Sequence, residues 1–169
     1  MIVYGGFKMS YGCMYILRGA VSVKELKQNL ISMAHSAKCG VCFNPVNNLL
    51  IESSIHINKN DLVFEVCDSF ASSDASLLLS YDNISHNGRF PKLSLSNRMI
   101  ILQEYVIACL PYVEKLEMFL GEDSPLASDY IDLCISVNEA PRIATKLVEA
   151  YRREAPSAFI PCLHVTVAH

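Results

Sequence analysis

Two polar residues near the C-terminal end of the chain have a spacing that could support chemistry. Residues 162–169 read C-L-H-V-T-V-A-H, and residues 159–168 are predicted to form the last strand. Because side chains alternate across a strand, His164 and Thr166 project from the same face of the sheet. An imidazole can transfer protons near neutral pH and a hydroxyl can contact a phosphate oxygen, so the pair is a candidate catalytic unit.

This segment resembles one half of the motif of the 2H phosphoesterases, in which two H-x-T/S strands face each other across a cleft. The resemblance implies that His164 acts as an acid or base on a 2′,3′-cyclic phosphate and that Thr166 contacts that phosphate. A second half is required, but His56 is followed two residues later by Asn58, and His35 lies in a predicted helix. The alternative interpretation is a strand with polar side chains on its wetter face.

A second group of candidate ligands is found in the segment H-S-A-K-C-G-V-C. His35 and Cys39 are four residues apart, and Cys39 and Cys42 form a C-x-x-C pair. Structural zinc sites need four ligands, and the sequence has no second C-x-x-C or H-x-x-H. A redox C-x-x-C normally begins a helix, whereas this pair follows the predicted end of one. These three residues are therefore weak metal candidates, and we expect no cofactor.

The strongest charge asymmetry lies between residues 114 and 132, where acidic residues greatly outnumber the single basic residue, Lys115. One interpretation is an acidic patch that contacts a basic protein surface, because complementary charge steers association and fixes orientation. The alternative is a solvated loop. The candidate partner-binding residues are Glu117, Glu122, Asp123, Asp129 and Asp132.

Composition limits the class of partner and the compartment. The 14 Lys and Arg residues are dispersed and the formal net charge is −3, whereas nucleic-acid binders usually carry a basic stripe. The seven cysteines lie mostly in apolar runs, as small hydrophobic residues do, which favours a reducing cytoplasm. No signal peptide and no apolar stretch long enough for a bilayer is apparent. We expect one soluble, cytoplasmic domain over residues 1–169, with neither nucleic acid nor membrane as partner.

The hydrophobic pattern predicts an α+β fold in the order β-α-β-β-β-α-β-α-β. The strands are predicted at residues 13–18, 41–43, 49–57, 62–67, 130–137 and 159–168, and another apolar run spans residues 75–81. The helices are predicted at residues 22–38, at residues 96–120 with a kink at Pro111, and from a cap at Asn138 to Pro156. The expected result is a mixed, largely antiparallel sheet with about three helices packed on one face.

No G-x-S-x-G, P-loop or G-x-G-x-x-G motif occurs in the chain, which favours a function without catalysis. The first hypothesis is a small protein that binds and inhibits a partner. Its profile is similar to that of bacterial immunity proteins, which neutralise a cognate toxin, often a nuclease with a basic surface. The alternative is a small hydrolase or phosphoesterase that uses His164 and Thr166.

Overall fold

The computed structural model describes residues 11–36, 40–44, 55–67, 95–122, 130–154 and 162–169. These residues contain six strands: β1 (Tyr11–Arg18), β2 (Gly40–Phe43), β3 (Leu62–Cys67), β4 (Lys115–Glu122), β5 (Tyr130–Ser136) and β6 (Cys162–Ala168). They also contain three α-helices: α1 (Val23–Ser36), α2 (Leu95–Cys109) and α3 (Ile143–Glu154). Short 3₁₀ turns at Leu110–Tyr112 and Val137–Arg142 follow α2 and precede α3.

The strands form one mixed sheet in the order β2-β3-β1-β4-β6-β5. Every pairing is antiparallel except that of β5 with β6, which is parallel. A parallel pair needs a crossover connection, and the chain between β5 and β6 contains α3. The two ends of the sheet are therefore β2 and β5, and each of these strands has one neighbour within the described sheet.

The three helices pack against the same face of the sheet, which we call the inner face. Apolar side chains alternate along the strands onto this face, and in β4 they are Leu116, Met118 and Leu120. Helix α1 contributes Leu26 and Leu30, which are fully buried. The predicted α+β class, with a mixed, largely antiparallel sheet and helices on one face, is confirmed.

The predicted helix over residues 96–120 is wrong in its second half. Helix α2 ends at Cys109, Pro111 lies in the following 3₁₀ turn, and Lys115–Glu122 forms β4 between β1 and β6. Leu116 and Leu120 are four residues apart, which places them on one face of either a helix or a strand. Met118 distinguishes a strand from a helix, because it lies midway between these two leucines and is also fully buried. Residues 116, 118 and 120 therefore face the core with the period of a strand.

Two smaller predictions also need correction. Among the described residues the order is β-α-β-β-α-β-β-α-β, in which β4 is a strand that was not predicted. Of the predicted strand 49–57, only residues 55–57 are described, and they are not in a strand. Ser136 rather than Asn138 precedes the last helical segment, and its backbone N–H donates to the Glu139 carboxylate at 3.3 Å. Residues 49–54 and the run 75–81 lie outside the described residues, as do residues 159–161 of the last strand.

The opposite face of the sheet, called the outer face, is divided between apolar and charged side chains. Its apolar part is a small cluster of Met14, Ile16, Val63 and Phe119, against which Ile55, Ile57 and Tyr130 pack. Its polar part lies mainly on β4, β5 and β6, where the alternation of each strand turns charged side chains away from the helices. Arg18 on β1 and the buried Glu65 on β3 also face this side. This polar part contains the predicted site residues of the C-terminal half.

Candidate functional site

The register of three neighbouring strands determines which outer-face residues meet. Phe119 of β4 is paired with His164 of β6, which is in turn paired with Asp132 of β5. One step along the sheet, Glu117 is paired with Thr166. The candidates from two separate sequence arguments, the H-x-T strand and the acidic segment, therefore lie side by side.

His164 lies between two carboxylates. Its Nδ1 is 2.8 Å from Asp132 Oδ1, and its Nε2 is 3.2 Å from Glu117 Oε1. The imidazole stacks on the Phe119 ring, with 4.4 Å between centroids and 11° between planes. The hydrogen bond with Glu117 raises the pKa of His164 more than burial lowers it, and the bond with Asp132 adds to the increase.

Glu117 is the centre of the charged cluster. Its Oε2 accepts a hydrogen bond from Arg18 Nε at 2.6 Å, and Lys115 Nζ lies 3.3 Å from its Oε1. Only 9% of its side chain is exposed. The bond with His164 and those with Arg18 outweigh the cost of burial and lower the pKa of Glu117 to about 2. This carboxylate is held by internal ion pairs and is not part of an exposed acidic surface.

A further carboxylate, Asp61, connects this centre to the segment before β3. Arg18 Nη1 donates to Asp61 Oδ2 at 2.7 Å and to the His56 carbonyl oxygen at 2.6 Å. Asp61 also accepts hydrogen bonds from the backbone N–H groups of Asn58 and Gly19. Burial alone would raise the pKa of Asp61, but these bonds outweigh it and the pKa is lowered.

We refer to these side chains together as the ion-pair cluster; it consists of three basic and three acidic residues: Arg18, Lys115, His164, Asp61, Glu117 and Asp132. A neutral imidazole carries a single N–H, whereas His164 faces a carboxylate oxygen at each ring nitrogen. The arrangement therefore fits an imidazolium, with which the cluster is electrically balanced. Neither ring nitrogen is free to take a proton from a substrate.

The cluster does not contain the second half of a two-histidine site. Among the described residues, no other histidine side chain contacts His164, and His56 enters the cluster only through its backbone carbonyl. Thr166 shares the outer face with His164 and is partly exposed. The geometry supports an internal ion-pair arrangement better than an acid–base pair.

The other predicted site residues are dispersed. Glu122 is the last residue of β4, and Asp123, Asp129 and Cys39 lie outside the described residues. Of the weak metal candidates, His35 is exposed near the end of α1 and Cys42 is half-buried on β2. Within the described part of the chain, no group of three or more potential ligands could hold a metal ion.

Sequence reasoning missed Arg18 and Asp61 as members of the site. Arg18 ends an apolar strand and Asp61 ends the turn N-K-N-D, which are ordinary positions for surface charges. A signal was nevertheless present, because a charged residue that directly continues a fully buried strand often needs a partner.

Comparison with known proteins identifies no relative. No protein family matches the chain, and neither a curated protein nor a solved structure is significantly similar to it. Among the described residues, no helix is long and apolar enough to cross a membrane.

Proposed function

We propose that this chain is a small cytoplasmic protein that binds another protein and inhibits it, in the manner of an immunity protein. Acidic side chains at one end of the sheet would contact a basic surface of the partner. The observation that carries the proposal is the position of Asp132, whose side chain is 77% exposed on the outer face of the edge strand β5. The free thiols of Cys13, Cys42, Cys109 and Cys134 suit a reducing compartment.

The strand directions extend this surface beyond Asp132. Strand β4 is antiparallel to β6 and β5 is parallel to β6, so Glu122 at the end of β4 and Tyr130 at the start of β5 lie at the same end of the sheet. Asp132 is the third residue of β5, so it lies near this end of the sheet. Charge of one sign collected in one place is what accelerates and orients association with a basic partner.

The position of β5 gives a partner a second means of attachment. Within the described sheet this strand pairs on one side only, with β6. An edge strand offers backbone N–H and C=O groups to which an extended segment of another protein can add. Side chains at alternate positions of β5, among them Asp132, would then contact that added segment.

The test is a tagged pull-down from the native host, followed by binding of the purified partner in calorimetry. The patch variant carries Glu122→Gln, Asp123→Asn, Asp129→Asn and Asp132→Asn. The control carries Glu104→Gln and Glu149→Gln, which remove exposed carboxylates from helices α2 and α3, on the other side of the sheet.

We expect a basic partner that binds the wild type and the control in stoichiometric amounts and loses most of its affinity for the patch variant. A partner bound equally by all three proteins would contradict the proposed surface. Recovery of no partner would favour the alternative, a phosphoesterase, which would be assayed on cyclic phosphates with wild type and His164→Ala.

A further inference from the structure

The two carboxylates that bind His164 are held very differently. Glu117 is nearly buried and is also bound by Arg18 and Lys115. Asp132 is largely exposed, and His164 is the one charged partner that the described residues give it. A change in the charge of the imidazole therefore affects the two carboxylates unequally.

Loss of a proton from His164 leaves one N–H for two acceptors. The bond to Glu117 is shielded from water and is the larger cause of the raised pKa, so we expect the remaining proton to stay on Nε2. The lone pair of Nδ1 would then face Asp132 Oδ1 across 2.8 Å, which is repulsive. Solvation of Asp132 costs little, because its side chain is already mostly in water.

The charged side chains around His164 determine how the net charge of the ion-pair cluster changes in this step. The elements packed around the imidazole are β4, β5 and, through Glu117, β1 and the segment before β3. The charged groups linked to the imidazole, directly or through Glu117 and Arg18, are those of the ion-pair cluster: Arg18, Lys115, Asp61, Glu117 and Asp132. The other residues on these elements that can carry a charge are His56, Lys59 and Glu122. With His164 charged the cluster is neutral, and with His164 neutral it carries one net negative charge, which is exposed at Asp132.

We propose that His164 is a pH-dependent switch for the partner-binding surface: its imidazolium neutralises Asp132, and its deprotonation releases Asp132 as a free carboxylate for a basic partner. This inference rests on the proposed function and adds regulation to the same site. It predicts tighter binding of a basic partner as the pH rises through the titration of His164. The Phe119 ring, stacked on the imidazole, holds the ring plane while the proton is lost.

The first experiment needs no partner. Carbon-detected NMR would follow the His164 ring and the Asp132 carboxyl group from about pH 5 to about pH 9 in the wild type. We expect the Asp132 resonance to shift with the same midpoint as His164, and this shift to disappear in His164→Gln. His169→Gln is the matched control, because that histidine is exposed at the last residue, and it should leave the shift in place. An Asp132 resonance that stays constant while His164 titrates would overturn the switch.

The second experiment uses hexalysine as a basic probe of the surface. An exposed ion pair contributes at most about 1 kcal/mol, so hexalysine affinity should rise about two- to fivefold as His164 loses its proton. In His164→Gln the affinity should stay at the high-pH level throughout, and in Asp132→Asn the rise should be absent. Affinity that is independent of pH in the wild type would contradict the inference.

The two proposals can fail separately. An Asp132 carboxyl resonance that does not respond to the titration of His164 overturns the switch, whatever the pull-down finds. An Asp132 resonance that follows the titration of His164, without a basic partner in the pull-down, overturns the proposed function and leaves the switch as a property of the isolated chain.

Discussion

Replacement of Glu117 by Gln tests the centre of the ion-pair cluster. The amide has nearly the size of the carboxylate but has no charge, so Arg18 and His164 both lose their shared counter-charge. Arg18 keeps Asp61, whereas His164 keeps only the exposed Asp132. We expect the variant to fold with a reduced free energy of unfolding, because the partly buried cations of Arg18 and His164 each lose a charged partner.

The size of the loss follows from the titration of the carboxylate. The pKa of Glu117 is lowered from 4.5 to about 2. Each pKa unit corresponds to about 1.4 kcal/mol, so the charged form of Glu117 stabilises the fold by about 3 kcal/mol above pH 4.5. Removal of one member of a buried ion pair typically costs about 3–5 kcal/mol, which agrees in magnitude. In a chain of this size, 3 kcal/mol lowers the melting temperature by about 6–12 °C.

Urea unfolding near pH 6 would measure this loss, with Glu104→Gln as the control because Glu104 is exposed on α2.

The pH dependence of the free energy of unfolding provides a second test. The pKa of His164 is raised in the folded state, so its imidazolium stabilises the fold fully below the pKa of the unfolded chain, about 6.5. This contribution to the free energy of unfolding is lost as the pH rises through the pKa of the folded state. Since Glu117 is the main cause, the alkaline decline should be smaller in Glu117→Gln than in the wild type. A loss no greater than that of Glu104→Gln, or an unchanged decline, would refute the reasoning.

Two further substitutions test the surrounding structure. Asp61→Asn should reduce the free energy of unfolding by about 3–5 kcal/mol, because the Asp61 side chain is 3% exposed and its charge is paired with Arg18. A urea midpoint equal to that of the wild type would contradict the ion pair. Met118→Ala should cost about 2–5 kcal/mol in calorimetry, because Met118 is fully buried in β4. A neutral effect of Met118→Ala would instead support the helical interpretation, in which this residue lies off the apolar stripe.

The sequence alone determined the fold class and most element types. Alternation along residues 130–136 and the helical spacing of Leu26 and Leu30 are local signals, and both elements form as these signals indicate. The identity of β4 was not determined in this way. Leu116 and Leu120 satisfy both periods, and the strand is stabilised by its pairing with β1 and β6, which lie far away in the chain.

The site was decided only by the tertiary structure. Sequence reasoning assigned His164 to one hypothesis and Glu117 with Asp132 to another, because nothing local connects residues that are 47 and 32 positions apart. Arg18 and Glu117 are separated by 99 positions and meet because β1 and β4 are neighbours in the sheet. Side-chain periodicity shows which face of a strand a residue occupies, but the register between distant strands determines which charges meet there. The protonation of His164 and the burial of Glu117 depend on that pairing, so no local pattern could have predicted them.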